Sequence, residues 1–439
     1  MEMFSLAQNY VTRGFWGDEA WTSLISQLPY SQMLKTTAAD FHPPGYYTVV
    51  GLVYRFFPPT EIATRLISVF FYLLTILVVY KFASEFKGKT FGLLSALVLL
   101  VNPIFLTYAF EARNYTMFAF ASVSSVYFLN RLSSKFNFVN VIGFVLFSAL
   151  GLYTHYYMLF VLAAEAFYIL LFDRKILIKS VGLFAVVGAL FLPWVPFLLS
   201  QVTSVGESYW IGGIDERTHF EAVLRILAGE HFNPFQMILF AVSTALIVLG
   251  LVQHIRRRSF EKPYALIWLW AVMPLILASL PGLKVGEFRL PFRPIFFWRY
   301  LIPAAVPFSM IIVHSAQKFP GPFYKLSITA VIVLSLAIDY LTLSRYPLTF
   351  KQIYAQEVVP QIQQGDKIVT VLPSFAEVLY YRNRNGLTNE LVVLSVGLVQ
   401  FSGKSLLDAY VANGVVKIQE NVEEPYFYLS PGPKIEVRR

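Results

Sequence analysis

Residues 62–80 read "IATRLISVFFYLLTILVVY", and residues 81–89 continue "KFASEFKGK". The first stretch holds one charge, Arg65, and has the length of a helix that crosses a hydrocarbon core, about 20 residues. The second brings Lys81, Lys87 and Lys89 against a single acid, Glu85. An apolar run closed by a short basic loop is the repeating unit of a polytopic membrane protein, because Lys and Arg collect on the cytoplasmic side. The totals agree. Of 439 residues, 56% are hydrophobic and 14% charged, with a mean hydropathy of +0.59. A soluble chain charges about a quarter of its residues. So few charges cannot cover a water-facing surface, and lipid takes the place of water as solvent. The 41 Phe and 26 Tyr suit aromatic belts at the two interfaces. The absence of Cys excludes disulfides, thiolate metal sites and cysteine nucleophiles.

Working outward, ten apolar runs can be drawn: 62–80, 91–108, 114–130, 138–152, 156–172, 180–199, 235–253, 263–281, 297–315 and 323–343. The run near 138–172 is split at "GLYTHYY", where polar residues interrupt it. The loops alternate in character. One set carries Lys81, Lys87, Lys89, Arg131, Lys135, Arg174, Lys175, Lys179, Arg256, Arg257, Arg258, Lys262, Lys318 and Lys325, opposed only by Glu85, Asp173 and Glu261. That set marks the cytoplasmic face, where basic residues also meet anionic lipid. The net charge of +9 is then mostly topology, and it argues against nucleic-acid binding. The other face holds longer, mixed segments with most of the His, the exposed acids and the isolated arginines. Chemistry is expected there.

The alternation places residue 1 outside, yet nothing ahead of residue 62 resembles a full span, and "MEMFSLAQNYV" has no signal-peptide plan. A missing first membrane helix is expected, with an N-out chain as the alternative. The tail is more polar. "GDKIVTVLP" and "NELVVLSVG" read as strands, and "SFAEVLYYR" and "SLLDAYVANG" as short helices, the second capped at Gly414. The expected fold class is an α-helical polytopic membrane protein of about ten spans plus interfacial helices, with a small C-terminal α/β appendage outside the membrane. Its expected divisions are an outer-face loop region 1–61, a membrane domain 62–343 and an outer-face domain 344–439.

Four stretches carry candidate chemistry. In "RGFWGDEAWTSLISQL", 13–28, Asp18 and Glu19 precede Trp21, Leu24, Ile25 and Leu28, which recur at helical spacing. A short helix lying flat on the membrane follows. Asp18 reads equally as its N-cap or as a general base at a partly dry interface. In "DFHPPGYY", 40–47, Pro43 and Pro44 start a second interfacial helix and hold His42 just ahead of it. His42 is either a loop residue or a donor to a phosphate at headgroup level. In "LTYAFEARNYTMFAF", 106–120, Glu111 and Arg113 lie between apolar runs, where charges are paired or functional. Two residues apart, they do not share a helical face. In "EFRLPFRPIFFWRYLIP", 287–303, Arg289, Arg293 and Arg299 alternate with Phe and Trp. They are snorkelling anchors or, together, a fork for a phosphate. Trp210, in the large loop 206–229, suits a sugar face or an interface anchor. There is no Walker A loop, no GxGxxG after a strand and no HExxH. No cofactor is certain; Asp18 and Glu19 could hold a divalent ion through oxygen ligands.

Taken in order, Asp18-Glu19, His42-Pro43-Pro44 with Tyr46-Tyr47, Arg65-Leu66, Glu111-Ala112-Arg113-Asn114-Tyr115, "YTHYY" with His155, and Arg299-Tyr300 with Pro303 resemble the protein O-mannosyltransferase and lipid A aminoarabinose transferase superfamily, of the GT-C membrane glycosyltransferase class. The resemblance covers roughly residues 13–315. It implies a glycosyltransferase in the plasma (inner) membrane, active on its outer side. Such an enzyme moves a sugar from a polyprenyl-phosphate carrier to a hydroxyl on a protein, glycolipid or polysaccharide. It implies Asp18, with Glu19 beside it, at the catalytic position. His42, Arg113, Arg299 and Arg293 then serve the donor phosphate, and Glu111, Tyr115, Tyr300, Trp210 and His155 lie about the substrates. Two departures bear on the acceptor: the first span is missing, and the tail is not the sugar-binding domain of the eukaryotic protein mannosyltransferases. The rival readings are a transporter or flippase of lipid-linked sugars, a glycan polymerase or ligase with a lipid-diphosphate donor, and a non-catalytic scaffold. Spans almost clean of charge, with acids and arginines gathered on one face, favour the enzyme over the transporter.

Overall fold

The computed structural model describes residues 2–207, 211, 214–257, 261–282, 284–285, 288–289, 293–396 and 403–438. The chain begins with four short helices, α1 (Glu2–Thr12), α2 (Gly17–Ser26), α3 (Tyr30–Ala38) and α4 (Gly45–Val53). The run 62–80 lies within one 27-residue helix, α5 (Glu61–Lys87), whose first turn is capped by the Thr60 hydroxyl accepting from Ala63 N at 3.2 Å. The run 91–108 becomes two helices, α6 (Lys89–Leu100) and α7 (Pro103–Ala109), bent by 66°. The bend has a local cause. Pro103 cannot continue the hydrogen-bond ladder, and the Asn102 side chain caps the new helix by accepting from Phe105 N at 3.0 Å.

Helices α8 (Tyr115–Ser134), α9 (Phe138–Thr154) and α10 (Met158–Phe172) follow, with the break at His155 where "GLYTHYY" placed it. Next come α11 (Leu177–Phe191), α12 (Val195–Glu207), α13 (Glu216–Ala228), α14 (Pro234–Arg257) and α15 (Lys262–Ser279). A two-strand ribbon, β1 (Lys284–Val285) with β2 (Phe288–Arg289), leads to a 3-10 turn, Trp298–Ala304, that runs into α16 (Ala305–Ala316); α17 (Gly321–Leu343) ends the apolar region.

Every one of the ten apolar runs is helical, but they are not ten equal spans. Six helical stretches are long and apolar enough to cross a membrane, and seven if the bent α6–α7 pair counts as one. Helices α9 and α10 are apolar but shorter. The protein is a multi-pass membrane protein of six to seven such helices by length and composition. The interior of the spans is also less clean of charge than the sequence suggested. Glu165 and Asp339 are buried there, the first accepting from the Ser125 hydroxyl at 2.8 Å.

The tail adds α18 (Phe350–Ile353), β3 (Lys367–Thr370), α19 (Phe375–Arg384), β4 (Leu391–Leu394), α20 (Lys404–Ala412), β5 (Val416–Gln419), β6 (Tyr426–Ser430) and β7 (Lys434–Arg438). The sheet order is β5-β4-β3-β6-β7, parallel except for β7 against β6. The two expected strands and two expected helices are present, and three further strands complete a mixed sheet. This unit does not stand apart. Phe15, Leu24, Ile25, Tyr46 and Tyr47 share one core with Ile67 and Phe71 of α5 and with Phe375, Leu379, Leu406 and Leu407, so α2 and α4 are sandwiched between α5 and the tail.

Candidate active site

The site begins with an ion pair that fixes α2. Arg65, inside α5, donates from Nε to Glu19 Oε1 at 2.8 Å and from Nη2 to Glu19 Oε2 at 2.5 Å, with neither side chain exposed. Its other N–H groups go to the carbonyls of Val11, Arg13 and Gly14. Ala112 N adds a bond to Glu19 Oε1 at 2.8 Å. Burial alone would raise the Glu19 carboxyl; the Arg65 guanidinium overrides this and holds it below its usual range. Glu19 also accepts from Trp16 N at 3.4 Å, so the residue that reaches back to the helix start is Glu19 and the N-cap is Trp16. Asp18 is therefore not the cap. It sits in the first turn with its side chain 41% exposed, free of the structural task its neighbour performs.

Asp18 opens into a cavity of about 240 Å³ lined by Trp16, Trp21, Asp40, Phe41, His42, Arg113, Tyr115, Phe297, Arg299, Tyr300 and Gly403. Five separate stretches converge there. Gly45 brings the second stretch in. A Cβ on it would lie 2.4 Å from the Tyr153 carbonyl oxygen, so only glycine lets α4 press against α9 and seat His42. His42 Nδ1 lies 3.3 Å from Asp40 Oδ2, and its ring stacks near Phe41 at 4.8 Å. From the α7–α8 link comes Arg113. Its Nη2 is 3.8 Å from Asp18 Oδ2, and its Nη1 donates at 3.5 Å to the Asp18 carbonyl and the Thr22 hydroxyl.

Arg299 comes from the 3-10 turn. It lies 5.2 Å from the Trp16 ring centroid and 5.3 Å from that of Trp298, and its Nη2 is 3.8 Å from Glu230 Oε1. The Nε groups of both Arg113 and Arg299 are buried without a hydrogen-bond partner among the described residues. Two shielded guanidinium groups with N–H donors to spare make a receptor for an anion, and the aromatic walls lower the local dielectric. The cavity pairs this receptor with one accessible carboxylate, Asp18. That combination can hold a phosphate and take a proton from a hydroxyl.

The remaining expected residues lie elsewhere. Glu111 is not paired with Arg113. It accepts from Arg13 Nη2 at 2.6 Å and from Trp16 Nε1, and it lines a neighbouring cavity on the far side of Trp16 and Arg299. His155 accepts from Tyr157 N at 3.1 Å, stacks on Phe118 and lies tilted against Tyr300, behind the wall. Arg293 is exposed and does not line the cavity. Trp210 lies outside the described residues. Since both oxygens of Glu19 are committed, Asp18 and Glu19 do not present a paired ligand set for a divalent ion. Asp40 and Gly403 of the lining, and Glu230 beside Arg299, were not anticipated. Asp40 carries a faint signal in the sequence, an acid two residues from a loop histidine. The others come from distant segments and carry none.

A family model described as dolichyl-phosphate-mannose-protein mannosyltransferase matches residues 41–199. Among solved structures, the fold is similar to ArnT from Cupriavidus metallidurans in the apo state, with a TM-score of 0.64 at 13% identity over 97% of this chain and 91% of that one. ArnT bound to undecaprenyl phosphate gives the same TM-score at 12% identity, over 96% of this chain and 89% of that one. The Archaeoglobus fulgidus oligosaccharyltransferase in complex with zinc and sulfate aligns with a TM-score of 0.55 at 15% identity, over 84% of this chain and 58% of that one. No curated protein sequence matches the chain. The family model lies within residues 13–315, over which the order of the motifs resembles the protein O-mannosyltransferase and lipid A aminoarabinose transferase superfamily, and the fold is similar to that of ArnT.

Proposed function

We propose, from the premise that this chain is a membrane glycosyltransferase with the GT-C fold and a protein-mannosyltransferase family region, that it moves a sugar from a polyprenyl-phosphate carrier to an acceptor hydroxyl on the outer face of the membrane. The observation that carries this reading is the cavity. It sets the exposed carboxylate of Asp18 beside Arg113, and it draws Arg299 and His42 to the same space from distant parts of the chain. A relative of the same fold is described as bound to undecaprenyl phosphate, the chemistry expected of the spent carrier.

In this mechanism the acceptor oxygen attacks the anomeric carbon as Asp18 takes its proton. The bond from that carbon to the phosphate oxygen breaks, and its electron pair leaves with the phosphate. The carbon passes through an oxocarbenium-like state. The charge that grows on the phosphate meets Arg113 and Arg299, with His42 held by Asp40 beside them. A single displacement inverts the anomeric centre. The lipid tail stays in the bilayer while its headgroup reacts, which accounts for a site built from interfacial helices. Ten crossings, with the mixed loops and the tail sheet outside, complete the proposed topology. Tyr115 and Tyr300 line the same cavity and suit the sugar; His155 and Glu111 stay proposed as more distant contacts, and Trp210 as a sugar contact.

Incubation of the purified protein with a panel of polyprenyl-phosphate sugars tests the reading. Release of lipid phosphate is expected from at least one donor. Movement of an intact lipid-linked sugar across vesicles without such release would move the assignment to a transporter, for which the buried Glu165 and Asp339 would be the first residues to examine.

A further inference from the structure

Parallel sheets bind ligands outside the carboxyl ends of their strands, near the point where the strand order reverses. In the tail that point is β3: the chain passes through α19 to β4 on one side, while β6 pairs on the other. The loop leaving the carboxyl end of β3 runs to α2. A Cβ built on Gly17 would lie 3.8 Å from Glu377 Oε2 and 4.0 Å from the Pro373 carbonyl oxygen. Gly403, at the start of α20, lines the Asp18 cavity. Gly403 has φ +86°, a left-handed conformation suited to glycine, and a Cβ there would lie 3.9 Å from Leu372 of the first loop. The first carboxyl-edge loop therefore lies against the helix that carries Asp18, and the N-cap of α20 lines its cavity.

The tail is held in this place by specific bonds. Phe15 N donates to Tyr381 Oη at 2.7 Å, and Tyr410 Oη donates to the Leu24 carbonyl at 3.2 Å. Glu377 stands out among the nearby acids. Glu19, Glu61, Glu111 and Asp40 all have hydrogen-bond or ion-pair partners, whereas Glu377 has none among the described residues. It is nevertheless half-buried, and the charges that bear on it are those of Asp18 and Glu19. A shielded carboxyl without a partner costs stability unless something binds it.

We infer that the carboxyl edge of the tail sheet is the acceptor-side wall of the site, and that Glu377 binds the acceptor beside Asp18. Its preferred acceptor is a neutral or amine-bearing hydroxyl compound, not a phosphate ester. The inference rests on the transferase reading above. Its chemical basis is the division of charge. Arg113, Arg299 and His42 serve the donor phosphate, while a second carboxyl, set against Gly17 at the start of α2, accepts hydrogen bonds from hydroxyl or ammonium groups and, once ionised, repels a phosphate placed beside the reacting hydroxyl.

The test compares acceptors by the kcat/KM of acceptor-stimulated lipid-phosphate release, with the pH held above the value of about 8 to which burial lifts Glu377. The probes are neutral and amine-bearing oligosaccharides and the same compounds with a phosphate next to the accepting hydroxyl. The wild type is expected to favour the phosphate-free members by about tenfold or more. Glu377→Gln should shrink that ratio several-fold, and Glu377→Asp should restore most of it. A ratio does not depend on how much of the variant folds, and undecaprenyl phosphate binding reports the integrity of the donor half. An unchanged ratio in Glu377→Gln, or a wild type stimulated only by phosphorylated members, overturns the inference and leaves the transferase reading standing. No lipid-phosphate release from any donor brings down both.

Discussion

The Arg65 guanidinium closes on the Glu19 carboxylate with two bonds, Nε to Oε1 at 2.8 Å and Nη2 to Oε2 at 2.5 Å, and no water reaches either group. This pair separates two acids that are adjacent in the chain. Glu19 fastens α2 to α5, and Asp18 is left to face the cavity. Breaking a buried ion pair by removing one partner leaves an uncompensated charge, at a cost of roughly 3–5 kcal/mol. Glu19→Gln and Arg65→Ala should therefore lower thermal stability and yield in detergent. Stability equal to wild type in either variant would show that the pair does not anchor the helix.

Asp18→Asn should behave in the opposite way. Its side chain is 41% exposed and its closest charged partner, Arg113, stays nearly 4 Å away at 3.8 Å. Stability should change little, while transfer falls by about 10²–10⁴, the usual worth of a general base. Turnover within a few-fold of wild type would remove Asp18 from that role.

Arg299→Ala and Arg113→Ala should weaken the phosphate end of the donor. Hydrogen bonds to charged groups are worth about 1.5–3 kcal/mol each, or roughly 10- to 100-fold in affinity. Calorimetry or thermal-shift titration with undecaprenyl phosphate measures the loss. Arg293→Ala is the control: Arg293 is exposed and off the cavity wall, so its affinity should match wild type.

Glu377 carries a pH signature of its own. Burial, with the charges of Asp18 and Glu19, pushes its carboxyl up from 4.5 to about 8. The folded state then holds this proton more tightly than the unfolded chain. Its contribution to stability is full below the unfolded value near 4.5 and is lost as pH rises toward the folded value near 8. Glu377→Gln cannot ionise. The difference in melting temperature, variant minus wild type, should grow across that window and level off above it. A difference that is flat with pH would show that Glu377 ionises freely.

The sequence made the membrane class legible because hydropathy is a local property. A run such as 62–80 announces a span whatever surrounds it. Local chemistry also marked the break at His155 and two of the strands and two of the helices of the tail. The bend between α6 and α7 was missed even though Asn102-Pro103 was in view, because the apolar count on either side suggested one span. Where the motifs brought distant residues together by family order, Asp18, His42, Arg113, Tyr115, Arg299 and Tyr300 all reach one cavity. Proximity in the chain was the weaker guide: Glu111 pairs with Arg13, consistent with its sharing no helical face with Arg113, and Arg293 is not among the residues that line the cavity with Arg299.

The sequence by itself determined the solvent, the helices and the ordered set of charged motifs, since each follows from composition or spacing within a few residues. Tertiary structure alone decided the division of labour within Asp18-Glu19. That outcome depends on Arg65, 46 positions along the chain, reaching one carboxylate and not the other. It likewise decided that Gly403 of the tail lines the cavity and that Glu377 packs against Gly17 at the start of α2. Burial and ion pairing are properties of the packed molecule, and no local spacing of residues encodes them.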